Sequence, residues 1–320
     1  MPYSLLIAFG AGLVSATAFA SAATGPLVVR ILLFLLTPLP LFLAGLGAGS
    51  RTAAIAGFAG TAFVFAAGSS ATALIFAASQ ALPVFVLVYL ASLHRQTAGA
   101  TEWYPIGRIV IAAALLAAAF STLTLFLLGG NEETIRTTLR TMLEAFVENE
   151  LAKLPDAPAL GSNEIDEITS VMLALLPAAS AISSMGSLLF NMWLAGRITL
   201  ASGRLQRPWP DLSAITYPTG APLLFAVATA AAFLSGFAGL IATAFAGPLF
   251  FAYVIMGLAV IHYITRNRPW RPFALVALYA ALFIMTTSAL AALAVAILGL
   301  TESVWSLRQR YQPPSVPPKS

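Results

Sequence analysis

The sequence predicts an all-α fold: a polytopic transmembrane helical bundle of about eight to nine spans, with one amphipathic helix outside the membrane. Of the 320 residues, 59% are hydrophobic and only 9% are charged, whereas soluble domains average roughly 45–50% apolar and about 25% charged residues. The apolar residues also occur in blocks of about 20, the length that crosses the hydrocarbon of a bilayer. These observations exclude a water-soluble enzyme and a nucleic-acid-binding protein.

Nine apolar blocks are interpreted as membrane spans, because a helix satisfies its backbone polar groups internally. The third and fourth blocks are separated by little more than Ser69-Ser70, so they are expected to form a tight hairpin. The predicted spans are residues 3–23, 27–49, 52–69, 71–93, 107–128, 166–199, 221–243, 246–265 and 273–299.

The positions of the charged residues predict the orientation of these spans. The segment 129–167 holds nine of the twelve Asp and Glu residues, and the candidate inner loops hold nine of the sixteen Lys and Arg residues. Because cytoplasmic loops are rich in Lys and Arg, the amino terminus is predicted to be cytoplasmic and the acidic segment extracytoplasmic, in a bacterial inner membrane. The arginines of the predicted inner loops are Arg51, Arg95, Arg108, Arg197, Arg204, Arg207, Arg266, Arg268 and Arg271.

The carboxyl end does not fit this scheme. Nine spans that start inside would finish outside, yet Arg308, Arg310 and Lys319 favour the inside. Three explanations stay open: the tail is an exception, residues 273–307 form two short helices that turn near Thr286-Thr287, or the segment 27–49 does not span fully.

The chain is predicted to contain two helical bundles separated by the acidic segment. Within that segment, residues 131–153 form a predicted amphipathic helix, with Asn131 as its N-cap and apolar residues spaced by three and four. Membrane-surface helices usually carry a Lys/Arg-rich polar face, but this face is acidic, so the helix is expected to dock on the protein's own outer rim. The predicted divisions are a bundle of about five spans over 1–128, the acidic segment 129–165, a bundle of about four spans over 166–307 and a disordered Pro-rich tail over 308–320.

A solute cavity is predicted where a broken span faces a polar one. Pro38 and Pro40 remove backbone donors from the second span, and freed carbonyls are tolerated at membrane depth only against protein or a water-filled cavity. Broken helices of this kind build substrate sites in many transporters. A structural kink and ordinary hydrogen bonding between helices explain these residues equally well. The candidate cavity residues are Pro38, Pro40, Gln80, Ser183, Ser187 and Asn191.

Small residues follow one face of the first span. Ala8, Gly12, Ala16 and Ala20 are four positions apart, and small residues let membrane helices approach closely. They form a candidate docking stripe for a partner subunit. Packing within the bundle is the favoured alternative, because such motifs are common in membrane helices.

Groups that carry catalysis or bind metals are scarce in this chain. Cysteine is absent, and His94 and His262 are the two histidines. No Asp, Glu or Lys lies at the centre of a predicted span, where an ionisable residue would indicate function. No His-Glu-x-x-His, Gly-x-Ser-x-Gly or Walker-type motif occurs. The protein is therefore expected not to be an enzyme, and no catalytic, cofactor-binding or metal-binding residue is predicted.

Three segments resemble a known family. They are Thr37-Pro38-Leu39-Pro40-Leu41 through Gly49 with Ile55-Ala56-Gly57, residues 253–262, and residues 298–308. On these motifs the chain resembles the YybS-like family of uncharacterised bacterial membrane proteins (domain of unknown function number 2232), which implies a membrane bundle without an established activity. Members often have an Asp near the position of Thr301 or Glu302 and an Arg near that of Arg308. More distantly, the first-span stripe is similar to that of the substrate-binding S components of energy-coupling-factor transporters, where it docks the coupling subunit.

The leading hypothesis is a substrate-binding or transport-type membrane subunit that lacks its own ATPase. Its expected partners are the lipid bilayer, a small and largely apolar solute, and a membrane partner subunit. The alternative is a non-transporting scaffold or assembly factor, recognised through inner loops that combine Arg with Trp and Pro. These loops contain Arg207-Pro208-Trp209-Pro210 and Arg268-Pro269-Trp270-Arg271-Pro272.

Overall fold

The computed structural model describes residues 2–22, 26–97, 99–149, 160–284 and 290–310. Over these residues the chain is almost entirely helical with one two-stranded antiparallel hairpin, and the predicted all-α membrane bundle is confirmed. The elements are α1 (Pro2–Ser21), α2 (Leu27–Leu36), α3 (Leu39–Ala48), α4 (Ser50–Ala67), α5 (Ser70–Phe76), a π-helical turn (Ala77–Ala81), α6 (Leu82–Ser92), β1 (His94–Thr97), β2 (Ala100–Trp103), α7 (Ile106–Leu127), α8 (Glu132–Asn149), α9 (Ser162–Ala201), a 3-10 turn (Leu212–Ala214), α10 (Ala221–Ala231), α11 (Phe237–Ile264), α12 (Arg271–Ile284), α13 (Leu290–Trp305) and α14 (Leu307–Arg310).

Seven helical segments of the described residues are long and apolar enough to cross a membrane, which implies a lipid bilayer as their environment. The first six agree with the predicted spans. Three further apolar helices, α10, α12 and α13, have 11, 14 and 16 residues; at about 1.5 Å per residue each is shorter than a hydrocarbon core of about 30 Å. The seven segments are Tyr3–Ser21, Leu27–Ala48, Ser50–Ala67, Ser70–Ser92, Ile106–Leu127, Ser162–Ala201 and Phe237–Ile264.

The break predicted between residues 243 and 246 is wrong, because α11 continues through it with Pro248 in its interior. The chain turns instead after α10, in residues 232–236, where Gly236 has a φ of +75° that other residues rarely adopt. Gly247 permits close packing, since a Cβ there would lie 2.8 Å from the Cβ of Ala178 on α9. The glycine before this proline therefore marks a helix contact and not a helix end.

The last predicted span, 273–299, corresponds to two described helices, α12 and α13. Residues 285–289 between them, which include the predicted turn at Thr286-Thr287, lie outside the described residues. Two helices in this region agree with one of the three explanations for the basic carboxyl end, in which residues 273–307 form two short helices.

Contacts divide the chain into two compact units, each assembled from separate stretches of sequence. Unit 1 comprises residues 1–113, 186–222 and 250–320, and unit 2 comprises residues 114–185 and 223–249. The division predicted from composition and charge, with its acidic middle segment, stays a prediction.

In unit 2, the amphipathic helix α8 packs on membrane helices through its first half. The Oδ1 atom of Asn131 accepts a hydrogen bond of 2.9 Å from the backbone N–H of Thr134, which is the predicted N-cap. Residues 150–153 of the predicted helix lie outside the described residues. The buried core that α8 shares with α7, α9 and α11 consists of Leu125, Ile135, Leu139, Leu173 and Leu240.

In unit 1, α11 and α13 approach each other at two glycines. A Cβ on Gly257 would overlap the carbonyl oxygen of Val295, and a Cβ on Gly299 would overlap the carbonyl oxygen of Tyr253. Small residues at a membrane helix contact allow this backbone approach. The two carboxyl-side segments that carry the family resemblance therefore pack against each other.

Candidate functional site

A cavity of about 710 Å³ lies within unit 1. It is lined by Trp103 of the β1–β2 hairpin, the loop of residues 202–220 and the connection between α11 and α12, together with parts of α3, α6, α7, α9, α11 and α12. We call it the arginine-loop cavity, because these connections are the predicted arginine-rich inner loops. Its volume falls within the roughly 300–1,000 Å³ of small-molecule sites. Apolar side chains form much of its wall, among them Leu46, Ile109, Leu189, Met192, Ile255 and Leu258.

One face of α9 lines the cavity. Leu189, Met192 and Gly196 are spaced by three and four positions, which places them on the same side of the helix. Gly196 leaves room for the ring of Trp209, since a Cβ there would lie 3.1 Å from the ring carbon Cζ3. The guanidinium carbon of Arg197 lies 5.1 Å from the centre of the same ring, within the range of a cation–π contact. The indole of the 202–220 loop is therefore held against α9.

The backbone of the 202–220 loop is also fixed against α7 and α11. A Cβ on Gly107 of α7 would overlap the carbonyl oxygen of Thr216, so glycine is required for this approach. The hydroxyl of Tyr217 donates a hydrogen bond of 2.6 Å to the carbonyl oxygen of Ala252. Burial raises the pKa of Tyr217, so the phenol keeps the proton that it donates.

Arg308 reaches this loop from the carboxyl end of the chain. Its Nη1 and Nη2 atoms donate to the carbonyl oxygens of Ser213 at 2.5 Å and Ile215 at 2.6 Å. Glu302 accepts hydrogen bonds from its Nε atom at 2.9 Å and its backbone N–H at 3.0 Å. The two charged side chains are only 8% and 7% exposed, and their hydrogen bonds compensate for this burial. Since Ser213 and Ile215 line the cavity, the pair positions part of its wall.

A second ion pair, between Asp211 and Arg266, lies at the cavity. The Nη2 atom of Arg266 is 2.8 Å from Oδ2 of Asp211 and donates to the hydroxyl of Ser213 at 2.7 Å. The hydrogen bonds from Arg266 and Ser213 lower the pKa of Asp211, which keeps its carboxylate ionised at neutral pH. Both side chains are almost half exposed, so the pair contributes little stability. Its main effect is to neutralise the charge of Arg266.

Two other arginines, Arg207 and Arg271, line the cavity without a carboxylate partner among the described residues. The Nη1 atom of Arg207 is buried and has no hydrogen-bond partner there, and its guanidinium carbon lies 5.9 Å from the centre of the Trp103 ring. Burial lowers the pKa of Arg207, but an arginine remains charged at neutral pH. The Nη2 atom of Arg271 is 3.3 Å from Nδ1 of His262, whose Nε2 is 2.9 Å from the Tyr279 hydroxyl.

The proline-broken span and the polar α9 residues meet at a different place. The carbonyl oxygen of Leu35, just before Pro38, accepts hydrogen bonds from Oγ of Ser187 at 2.9 Å and Nδ2 of Asn191 at 2.7 Å. The freed carbonyl is thus satisfied by protein, one of the two environments in which it is tolerated. Ser187 and Asn191 lie on the side of α9 opposite the face that lines the arginine-loop cavity.

The other predicted cavity residues are not brought to this contact by any described hydrogen bond. Pro40 occupies the first turn of α3. Gln80 is buried in the π-helical turn, where its Nε2 atom donates to Ser79 at 3.2 Å and its Oε1 atom has no partner among the described residues. Ser183 is exposed on α9. A solute site built from all six predicted residues stays a prediction.

The small-residue stripe of α1 is used for contacts inside unit 1. Ala8, Gly12 and Ala16 are buried and Ala20 is exposed. A Cβ on Gly12 would overlap the carbonyl oxygen of Ala56 on α4. This is the packing that the favoured alternative describes, and docking of a partner subunit on the stripe stays a prediction.

Comparison with known proteins shows what the chain is similar to. A protein-family model described as "predicted membrane protein (DUF2232)" matches residues 14–303. No curated protein and no solved structure matches. The family resemblance seen in the three segments is confirmed, whereas the resemblance to S components of energy-coupling-factor transporters finds no support.

Proposed function

We propose that this chain, which belongs to the family of predicted membrane proteins DUF2232, binds a small solute in the arginine-loop cavity as a transport-type membrane subunit without its own ATPase. The observation that carries the proposal is the cavity itself, about 710 Å³ in volume with a largely apolar wall and a few polar groups from its loops. Small-molecule sites are built in this way. The hydrogen bonds of Arg308 to the 202–220 loop support a cavity that is formed before the solute binds.

The cavity also gives a role to the loops on which the scaffold alternative was based. Residues 207–210 all line it, as does Arg271, whereas Trp270 is half exposed. Most of the Arg, Trp and Pro residues of these two motifs therefore form part of the cavity wall. This favours solute binding over recognition by a partner protein.

The proposal places the protein in the inner membrane of a bacterium, with the amino terminus and the arginine-loop cavity on the cytoplasmic side. The positive-inside rule supports this orientation, because the connections around the cavity carry more arginines than acids. The arginines are Arg95, Arg204, Arg207, Arg266 and Arg268, and the acids are Glu102 and Asp211. The proposal includes no catalytic step. Its polar groups would hold and orient the solute.

The test is stabilisation of the purified full-length protein by added compounds. A screen of vitamins, vitamin precursors, fatty acids and lipids is expected to find one that raises the melting temperature with increasing concentration, because a ligand that binds only the folded state stabilises it by mass action. In Leu189→Trp the indole occupies cavity space, and the shift is expected to disappear.

Leu200→Trp is the matched control, since Leu200 lies on the same helix, is 39% exposed and does not line the cavity. This variant is expected to keep the shift of the wild type. A screen without any stabilising compound, or an unchanged shift in Leu189→Trp, would contradict the proposal.

A further inference from the structure

Arg207 lines the arginine-loop cavity, and the described residues provide no carboxylate for its guanidinium group. A guanidinium has five N–H donors, yet the buried Nη1 atom of Arg207 has no hydrogen-bond partner among them. The ring of Trp103, 5.9 Å away, attracts the cation but offers no lone pair to this N–H. A buried charged donor without an acceptor is costly. Because Nη1 itself is enclosed, a bound molecule would reach this guanidinium through those of its atoms that line the cavity, and an anionic group there would compensate the buried charge.

The acidic residues of the described cavity wall cannot supply that acceptor. Asp211 is the one carboxylate among the described lining residues, and it is bound to Arg266 at 2.8 Å. Arg271, the third arginine of the wall, contacts the imidazole of His262 and no described carboxylate. The described wall therefore holds three guanidinium groups and one carboxylate, so a net positive charge faces the cavity.

The rest of the wall indicates what accompanies the anionic group. Ile109 of α7, Leu189 and Met192 of α9 and Leu258 of α11 form an apolar surface in the same cavity. A small hydrated anion would leave this surface uncovered, whereas an apolar chain would remove it from water. Charge at the loops combined with apolar helix faces is complementary to an amphiphile.

We infer that the cavity binds an amphiphile whose phosphate or carboxylate head is held by Arg207 and Arg271 and whose apolar body lies along the face of α9. This inference rests on the proposed function, because it names the class of solute for the same site. A membrane phospholipid and a free single-chain amphiphile share this chemistry, and the experiment below separates them.

The experiment uses the purified full-length protein in the nonionic detergent dodecyl maltoside and three probes with the same tail: dodecyl phosphate, dodecanol and dodecyltrimethylammonium. Binding is measured from the rise in melting temperature with probe concentration. Dodecyl phosphate is expected to bind about tenfold or more tightly than dodecanol, since a hydrogen bond to a charged group contributes at least that factor. Dodecyltrimethylammonium is expected to bind no more tightly than dodecanol.

Arg207→Gln is expected to reduce the preference for the phosphate over dodecanol, because Arg271 alone then holds the head, and Arg207→Lys is expected to keep more of that preference. Arg204→Gln is the control, because Arg204 is exposed and does not line the cavity. Without any probe, Arg207→Gln is expected to melt at or above the wild-type temperature, since it removes an unsatisfied buried donor. A lower melting temperature would assign Arg207 a structural role and overturn the inference.

Competition identifies the source of the head group. Displacement of dodecyl phosphate by phosphatidylglycerol, but not by phosphatidylcholine, would assign the head to a membrane lipid; failure of both lipids to displace it would assign the head to a free single-chain solute. Equal binding of dodecanol and dodecyl phosphate would overturn the anionic head while leaving solute binding intact. If none of the three probes binds and the screen above finds no compound, the proposed function itself is wrong.

Discussion

At the scale of single residues, the buried pair of Glu302 and Arg308 has the largest predicted effect on the arginine-loop cavity. Arg308 donates to two backbone carbonyl oxygens of the 202–220 loop and to Glu302. A buried ion pair is not in itself stabilising, but removing one partner leaves the other charge without compensation, which costs roughly 3–5 kcal/mol. The pair therefore couples the carboxyl end of the chain to the cavity wall.

Arg308→Met is expected to lower stability by about 3–5 kcal/mol and to weaken solute binding, because the loop loses two hydrogen bonds and Glu302 is left unpaired. The double variant Glu302→Leu/Arg308→Met removes both charges and is expected to recover part of the loss. Unfolding of the purified variants in detergent measures the loss of stability in Arg308→Met and its partial recovery in the double variant. Arg310→Met, at an exposed arginine two residues on, is the control; a double variant as unstable as the sum of the single variants would contradict the coupling.

The sequence indicates these two positions but not their contact. The family resemblance directs attention to an acid near Glu302 and to Arg308, but the two residues are six positions apart and the end of α13 lies between them. They meet because Ser306 adopts a φ of +49°, which turns the chain back. A non-glycine residue rarely adopts this conformation, so no sequence pattern predicts the turn. The same limit applies to Arg207, because the loop that carries it is packed against Gly107 of α7 and Gly196 of α9 through contacts that the sequence does not show.

At the scale of elements, glycine spacing decides how the helices of unit 1 meet. Gly10 and Gly12 lie two positions apart on α1 and therefore have different surroundings. A Cβ on Gly10 would meet nothing within 4 Å, whereas a Cβ on Gly12 would overlap the carbonyl oxygen of Ala56 on α4. Backbone at that distance cannot move aside as a flexible side chain can. The two glycines thus provide a matched pair of substitutions.

Gly12→Ala is expected to destabilise the protein by about 1–3 kcal/mol, the usual cost of overpacking. Gly10→Ala is expected to be neutral or to stabilise it by up to about 1 kcal/mol, because alanine favours the helix. Thermal unfolding of both variants in detergent checks the difference, and equal effects would refute the α1–α4 contact. Docking of a partner subunit has to be tested at Ala20, where Ala20→Leu changes an exposed position and leaves this contact in place.

The lengths of the apolar blocks predict most elements, and the exceptions have a physical cause. The first six spans follow from length and composition alone. The boundary between α10 and α11 does not, because Gly236 and Gly247 look alike in sequence although one supplies a positive φ and the other a contact with Ala178. The proline-broken span predicts a cavity at another place, whereas the described cavity is formed largely by loops whose arrangement depends on contacts between distant segments.

At the scale of the whole molecule, the contacts within unit 1 bear on the side at which the chain ends. Arg308 bonds to the backbone of the 202–220 loop, so the end of α13 lies at the same end of unit 1 as that arginine-rich loop. The segment after α11 contains two short helices in place of one span. Two helices that enter and return would leave the carboxyl end on the side where α12 began. The basic residues there would then agree with the positive-inside rule.

Labelling of single cysteines tests this orientation, and the chain contains no cysteine that would give a background. The substitutions are Thr97→Cys, at an exposed position of the hairpin, Gln309→Cys, near the end of α14, and Thr141→Cys, on the exposed face of α8. In intact cells a membrane-impermeant maleimide is expected to label Thr141→Cys alone, because the acidic segment is predicted to be extracytoplasmic and the arginine-rich loops cytoplasmic. After permeabilisation all three variants are expected to react. Labelling of Gln309→Cys together with Thr141→Cys in intact cells would place the carboxyl end outside and contradict the return of α12 and α13. Labelling of Thr97→Cys and Gln309→Cys without Thr141→Cys would invert the whole orientation.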